Sequence, residues 1–169
     1  MDPNLISSIL EFKSKRNRIL GRLLNKSYRY ITALASEFLK KEGYANFKVA
    51  HVIILIHIDV EEGLMINAIA QQIGVTKQAI SKIIKELLEE GYVYAEKHPT
   101  DARASLIRLS EKGAHFMLAW QRCTDHIDNI FKDIVGSKRL EQLKDILGEI
   151  TEHYEGNMCR IDNDQLFLQ

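Results

Sequence analysis

The stretch from Ile66 to Gly113 constrains the chain most: two helical patterns and a period-two pattern succeed one another there with few connecting residues. Ile66-Asn67-Ala68-Ile69-Ala70-Gln71-Gln72-Ile73 predicts a short apolar helix closed by Gly74, and Thr76 to Glu90 predicts a second, closed by Gly91. Glycine can take the positive φ that ends a helix. In the second helix Ile80, Ile83, Ile84, Leu87 and Leu88 recur at i, i+3, i+4, i+7 and i+8, which is one apolar stripe. Gln78, Lys82, Lys85 and Glu89 project to the other side. The Thr76 hydroxyl is placed to cap the first turn by accepting from an orphan N–H.

After Gly91, Tyr92, Tyr94 and Glu96 alternate with Val93 and Ala95. On the return, Ala104, Leu106 and Arg108 alternate with Ser105, Ile107 and Leu109. Period two over both arms predicts a hairpin. Pro99 cannot donate to a central ladder and belongs in the loop from Lys97 to Arg103. Upstream, Leu64-Met65-Ile66 is a short extended piece able to add a third strand, and Val49 to Asp59 reads as a mostly buried helix. Helix, tight turn, helix and hairpin in this order predict a mainly α fold (α+β), a winged helix-turn-helix of about six helices with a small antiparallel β-hairpin wing.

At 169 residues the length suits one domain, or one with helical extensions. Lys+Arg and Asp+Glu are both 23, so a nucleic-acid interface would need a local positive face rather than a global one. Cys123 and Cys159 form neither a CxxC pair nor a metal spacing, and no metal or other cofactor is expected. No apolar run approaches the roughly 18 residues of a membrane span, and the N-terminus lacks a signal-peptide pattern. The expectation is a cytoplasmic protein without membrane association. No phosphate-binding glycine loop or nucleophile motif is present, so an enzyme is not expected.

The flanks are helical. Met1 to Phe12 carries Leu5, Ile6, Ile9 and Leu10 on a small apolar face. Next comes a long amphipathic helix, basic through Lys13, Lys15, Arg16, Arg18, Arg22, Lys26 and Arg29 and closed by Gly43. Ser110 caps a helix running to Gly136, and about Lys138 to Tyr154 forms the last clear one. The terminal stretch is acidic, with Glu141, Asp145, Glu149, Glu152, Glu155, Asp162 and Asp164. These outer elements hold more apolar surface than a minimal winged domain needs, and a subunit interface is the simplest outlet. The division expected is residues 1–45 and 115–169 as a dimerisation region and residues 46–114 as the reading domain.

From about Arg18 to Tyr154 the chain resembles the MarR-type transcriptional regulators. The sharpest piece is Asp101-Ala102-Arg103-Ala104-Ser105-Leu106-Ile107-Arg108-Leu109-Ser110-Glu111-Lys112-Gly113, which is similar to the family's wing signature. That signature is Asp-x-Arg, an alternating strand, then Leu-Thr/Ser-x-x-Gly. Ile69 to Gly91 resembles the family's helix-turn-helix. The resemblance implies a homodimer built on terminal helices, with the second helix of each motif in a major groove and the wing at the adjacent minor groove. It implies that Arg103 reaches DNA and that Asp101 positions it. Ala95, Glu96, Lys97 and Ala102 make this wing poorer in arginine than is usual, which predicts a weaker phosphate grip.

Residue chemistry points the same way. Arginine suits the enhanced negative potential of a narrow minor groove. Gln78, Ser81, Lys82 and Lys85 are the candidates on the recognition helix: Gln can bond two ways to adenine, and Lys can reach guanine acceptors or phosphate. Lys77 at the helix start meets the backbone, Thr76 is a cap as readily as a phosphate contact, and the pattern does not separate base readout from positioning. The resemblance also implies an effector site between the two regions, which Tyr30, His51, His57 and Trp120 would border; each reads first as a core or boundary residue and only second as a pocket residue. The function expected is a sequence-specific regulator that binds double-stranded DNA at a pseudo-palindromic operator, a repressor released by a small-molecule effector. The alternatives are a winged-helix adaptor and a small-molecule-binding interaction protein, neither reading DNA.

Overall fold

The structure, a computed structural model, describes residues 1–100 and 104–155, and of Val49 and Glu155 only the backbone. Asp101, Arg103, Cys159 and the acidic and apolar residues after Tyr154 therefore lie outside the described residues, Glu155 by its side chain. The described residues form seven α-helices and a three-stranded antiparallel sheet. The helices are α1 (Pro3–Lys15), α2 (Leu20–Lys41), α3 (Val49–His57), α4 (Ile66–Ile73), α5 (Lys77–Glu89), α6 (Glu111–Val135) and α7 (Ser137–Glu155). The strands are β1 (Leu64–Met65), β2 (Val93–Lys97) and β3 (Ser105–Leu109), in the order β1-β3-β2. Leu64 pairs with Ile107, and Val93 with Leu109. The expected fold class stands, with seven helices where about six were read and with β1 joining the hairpin as its third strand.

Two local expectations are corrected. The basic stretch from Lys13 to Arg29 does not lie on one long helix: a 3-10 turn at Arg16–Arg18 and an extended Ile19 separate α1 from α2. An unbroken helix would stack Lys15 on Arg18 and Arg18 on Arg22 at repulsive i,i+3 and i,i+4 spacings. The hairpin also does not begin at Tyr92. Tyr92 and Val93 are both buried, which breaks strict alternation, because Tyr92 lies before β2 with its ring in an aromatic cluster.

One apolar core runs through the molecule. Val52, Ile54 and Leu55 of α3, Ile69 of α4 and Ile80, Ile84 and Leu87 of α5 pack with Ile107 of β3. The same cluster takes in Ala35 and Leu39 of α2 and Phe116, Cys123 and Ile127 of α6. Burying side chains of this size stabilises by about 1.5–3 kcal/mol each. The turn between α4 and α5 is tight because Gly74 adopts φ 75°, letting Gly74 N–H and Val75 N–H both donate to the Ala70 carbonyl.

The start of α6 is fixed by the Leu-Ser-x-x-Gly segment. Ser110 N–H donates to the Tyr92 carbonyl at 3.0 Å, its hydroxyl donates to the Gly91 carbonyl at 2.7 Å, and the same oxygen accepts from Gly113 N–H at 3.0 Å. Gly113 then passes so close to the residue before β2 that a Cβ there would lie 2.1 Å from the Tyr92 carbonyl oxygen. The serine ties the helix to the sheet, and the glycine permits the approach. Among the described residues no helix is long and apolar enough to cross a membrane.

Candidate nucleic-acid interface

The second helix of the motif, α5, has two faces, although of the expected stripe Ile83 is half-buried and Leu88 is exposed. Ile80, Ile84 and Leu87 are buried, whereas Lys77, Gln78, Lys82 and Lys85 are exposed and Ser81 is half-buried. Gln78, Lys82 and Lys85 fall at i, i+4 and i+7, so they share the outward face. Thr76 caps the helix by accepting from Ala79 N–H at 3.3 Å. Among the described residues Lys77 and Lys82 form no ion pair, and Lys85 faces Glu89 at 3.7 Å with both side chains well exposed. Such a pair is worth little in water and leaves the lysine able to change partner. The face can meet an anionic backbone with its cations and bond to base edges through Gln78.

The wing is built to hold its shape. Arg108 on β3 donates from Nε to the Glu96 carboxylate on β2 and from Nη1 to the Glu61 carbonyl before β1. It thus pins three segments at the base of the hairpin. His98 N–H donates to the Ala104 carbonyl at 3.1 Å, closing the ladder towards the loop. Arg103 and Asp101 belong to that loop, outside the described residues.

The four residues read as bordering an effector cleft occupy separate environments. Tyr30 is 61% exposed on α2. Trp120 is half-buried on α6 and packs against the core. His57 donates from Nδ1 to the Ile53 carbonyl at 2.6 Å and lines an open groove of about 500 Å³ with Ile56, Asp59, Val60, Glu62 and Gln72. Of the four, His57 alone lines that groove.

His51 sits at the junction of α3 and α5, only 1% exposed. Its Nε2 lies 3.0 Å from Oε2 of Glu86, which also accepts from Lys48 Nζ at 2.8 Å. Its Nδ1 accepts from Lys48 N–H at 3.4 Å, so Nε2 carries the proton and donates to the carboxylate. The hydrogen bonds from Lys48 and His51 pull the Glu86 carboxyl down to about 2. A carboxylate lowered in this way adds stability fully above its ordinary range, and that contribution is lost as pH falls toward about 2. Sequence reading missed Glu86 because its partners are far away in the chain; the mixed surroundings of His51 were the only signal.

Cys123 is fully buried on α6, and burial pushes its thiol up, opposite to the activation a redox sensor needs. Among the described residues no group of three His, Cys, Asp or Glu is placed to hold a metal ion.

Comparison with known proteins agrees with this geometry. Residues 45–104 match the model of the MarR family. The HTH-type transcriptional regulator PetP of Rhodobacter capsulatus is 31% identical over 88 residues, 52% of this chain and 51% of that protein. The chain thus spans about half the length of the curated relative it matches. Among solved structures, a MarR transcriptional regulator from Methanosarcina mazei Go1 superposes with a TM-score of 0.66 at 17% identity, covering 79% of this chain and 94% of that one. Wild-type MarR from E. coli, in its apo form, gives 0.62 at 19%, covering 78% and 96%. A MarR-family regulator from Rhodococcus sp. RHA1 gives 0.63 at 21%, covering 78% and 91%. At these identities the superpositions speak for the fold alone. The matched segment falls on the helix-turn-helix and the first arm of the wing, inside a fold that this chain shares along most of its length with solved MarR-family structures.

Proposed function

We propose that this chain is a homodimeric transcriptional regulator that reads double-stranded DNA, a repressor released by a small-molecule effector in the cytoplasm. The observation that carries the reading is the outward face of α5. Gln78, Lys82 and Lys85 stand exposed on a helix whose other side is locked into the core, with Thr76 and Lys77 at its start. A helix of this kind enters a major groove with its first turns against base edges. Arg103, positioned by Asp101, takes the adjacent minor groove.

Homodimerisation is supported by the outer helices. Leu5, Leu10 and Phe12 of α1, Leu20 of α2 and Ile146 and Tyr154 of α7 are each more than half exposed, an area a lone protomer leaves in water. The segment from Lys13 to Arg29 is wholly basic in its charges, and α7 is mainly acidic beyond Leu140, so opposite charges are available across a two-fold axis. Residues 1–45 and 115–169 serve as the dimerisation region and residues 46–114 as the reader.

Selection of bound duplexes from a random pool tests the reading. The expected result is a pseudo-palindrome whose half-sites lie about one helical turn apart. A pool that enriches no sequence at low salt overturns it and favours an interaction protein that uses the scaffold without DNA.

A further inference from the structure

We propose that His51 is a positioning residue for α5, acting through Glu86. This rests on the reading that α5 contacts DNA. Glu86 lies at the border between the buried stripe and the outward face of α5, one helical turn beyond Lys82. It is the point at which α5 is fastened by polar contacts to the start of α3: His51 Nε2 at 3.0 Å and Lys48 Nζ at 2.8 Å converge on one carboxylate oxygen.

The fastening is supported from behind. The His51 ring stands edge-on to Phe47 at 4.9 Å, and Phe47 stacks on Phe116 of α6 at 3.6 Å and stands edge-on to Tyr92 at 4.9 Å. Rings packed in this way cannot swing independently. The direction of the Nε2–H bond is therefore set by α6 and by Tyr92 at the entry to β2, and Glu86 passes that direction to α5. Hydrogen bonds weaken steeply with angle, so on a helix whose apolar side is already packed the clamp sets the remaining rotation of α5 about its own axis and with it the aim of Gln78, Lys82 and Lys85.

The alternative role for Glu86, a bystander acid beside Lys82, has the opposite sign. Removing a bystander carboxylate relieves repulsion from phosphate and tightens DNA binding. Removing a clamp weakens it although a negative charge has gone.

The test compares wild type with His51→Gln, His51→Phe and Glu86→Ala on the duplex selected by the wild-type protein. Folding and assembly are checked by circular dichroism and sedimentation. Gln places its amide nitrogen near the position of the imidazole Nε2, whereas Phe keeps the ring and loses the donor. His51→Phe and Glu86→Ala are expected to lose about tenfold in affinity, as befits a hydrogen bond to a charged group. The slope of log K against log salt is expected to stay constant, because no phosphate contact is removed. His51→Gln should stay close to wild type. Unchanged or tighter binding by Glu86→Ala, or equal loss in Gln and Phe, overturns the proposal. Amide exchange without DNA separates this from the reading on which it rests. His51→Phe and Glu86→Ala should lower protection across α5 selectively, and His51→Gln should not. If the wild type selects no duplex, the DNA reading fails and exchange alone decides: unchanged α5 protection overturns the clamp. Should His51→Phe fail to fold, Glu86→Ala on the helix surface carries the same comparison.

Discussion

Replacing Gly113 by alanine should destabilise the protein, although alanine is the better helix former. Gly113 is in the first turns of α6, where removing a glycine ordinarily gains about 1 kcal/mol. Here the added Cβ would lie 2.1 Å from the Tyr92 carbonyl oxygen and 3.3 Å from Leu109 Cδ2. The first contact is with backbone, which cannot rotate away, so the start of α6 must retreat by about 1 Å or more to reach van der Waals distance, an overpacking strain of about 1–3 kcal/mol. That retreat stretches the 3.0 Å bond from Ser110 N–H to the same carbonyl and the 2.7 Å bond from its hydroxyl to Gly91. Losing one such bond removes about 1 kcal/mol more. After the propensity gain, the net loss is about 2 kcal/mol, or roughly 4–8 °C in Tm for a chain of this size. Thermal unfolding followed by circular dichroism at matched protein concentration reads it, since concentration shifts the Tm of a dimer. A Gly113→Ala protein as stable as wild type would refute the reasoning, because propensity would then outweigh the close approach.

Three other outcomes are expected. Arg103→Ala should weaken binding to the selected duplex while the protein stays folded and dimeric; unchanged affinity in a salt-controlled titration removes the role assigned to that side chain. Truncation before Lys138 deletes Leu143, Ile146 and Ile150 with the rest of α7 and should shift the chain toward monomer in sedimentation, whereas a full dimer contradicts the assignment of α7 to the interface. In a Cys159→Ser background, the buried Cys123 thiol should react with an alkylating reagent far more slowly in the native protein than in denaturant, and comparable rates would show that α6 opens at that point.

What the chain discloses from its letters is what depends on spacing. Ile80, Ile84 and Leu87 recur with the period of a helix, and the same three are buried on α5. Gly74 and Gly91 mark helix ends because positive φ is a local demand, and both have it. What depends on distance through space does not appear there. His51 and Glu86 are 35 residues apart, and no periodicity joins them. By its sequence neighbours alone, His51 looks like one more aromatic near a cleft. Gly113 was legible as part of a signature, but its reason, the Tyr92 carbonyl, lies before β2, on the other side of the hairpin in sequence. The break at Arg16–Arg18 was hidden because the apolar residues on either side keep nearly helical spacing. The outward face of α5 was the most legible part of the site, and the wing arginine rests on the family signature.

The continuity of the core from α2 and α6 into the helix-turn-helix has a mechanical consequence. Phe47 stacked on Phe116 and the cluster that joins Leu39 to Ile54 and Ile127 tie the helix-turn-helix to α2 and α6 in one continuous packing among the described residues. So coupled, each protomer of a dimer would move as a lever. In a dimer held at the outer helices, the separation of the two α5 helices is set by the angle between protomers, and a signal that changes that angle slightly at the fulcrum is magnified at the tips. Such a protein would miss its operator by losing the span between half-sites while each reader remained intact.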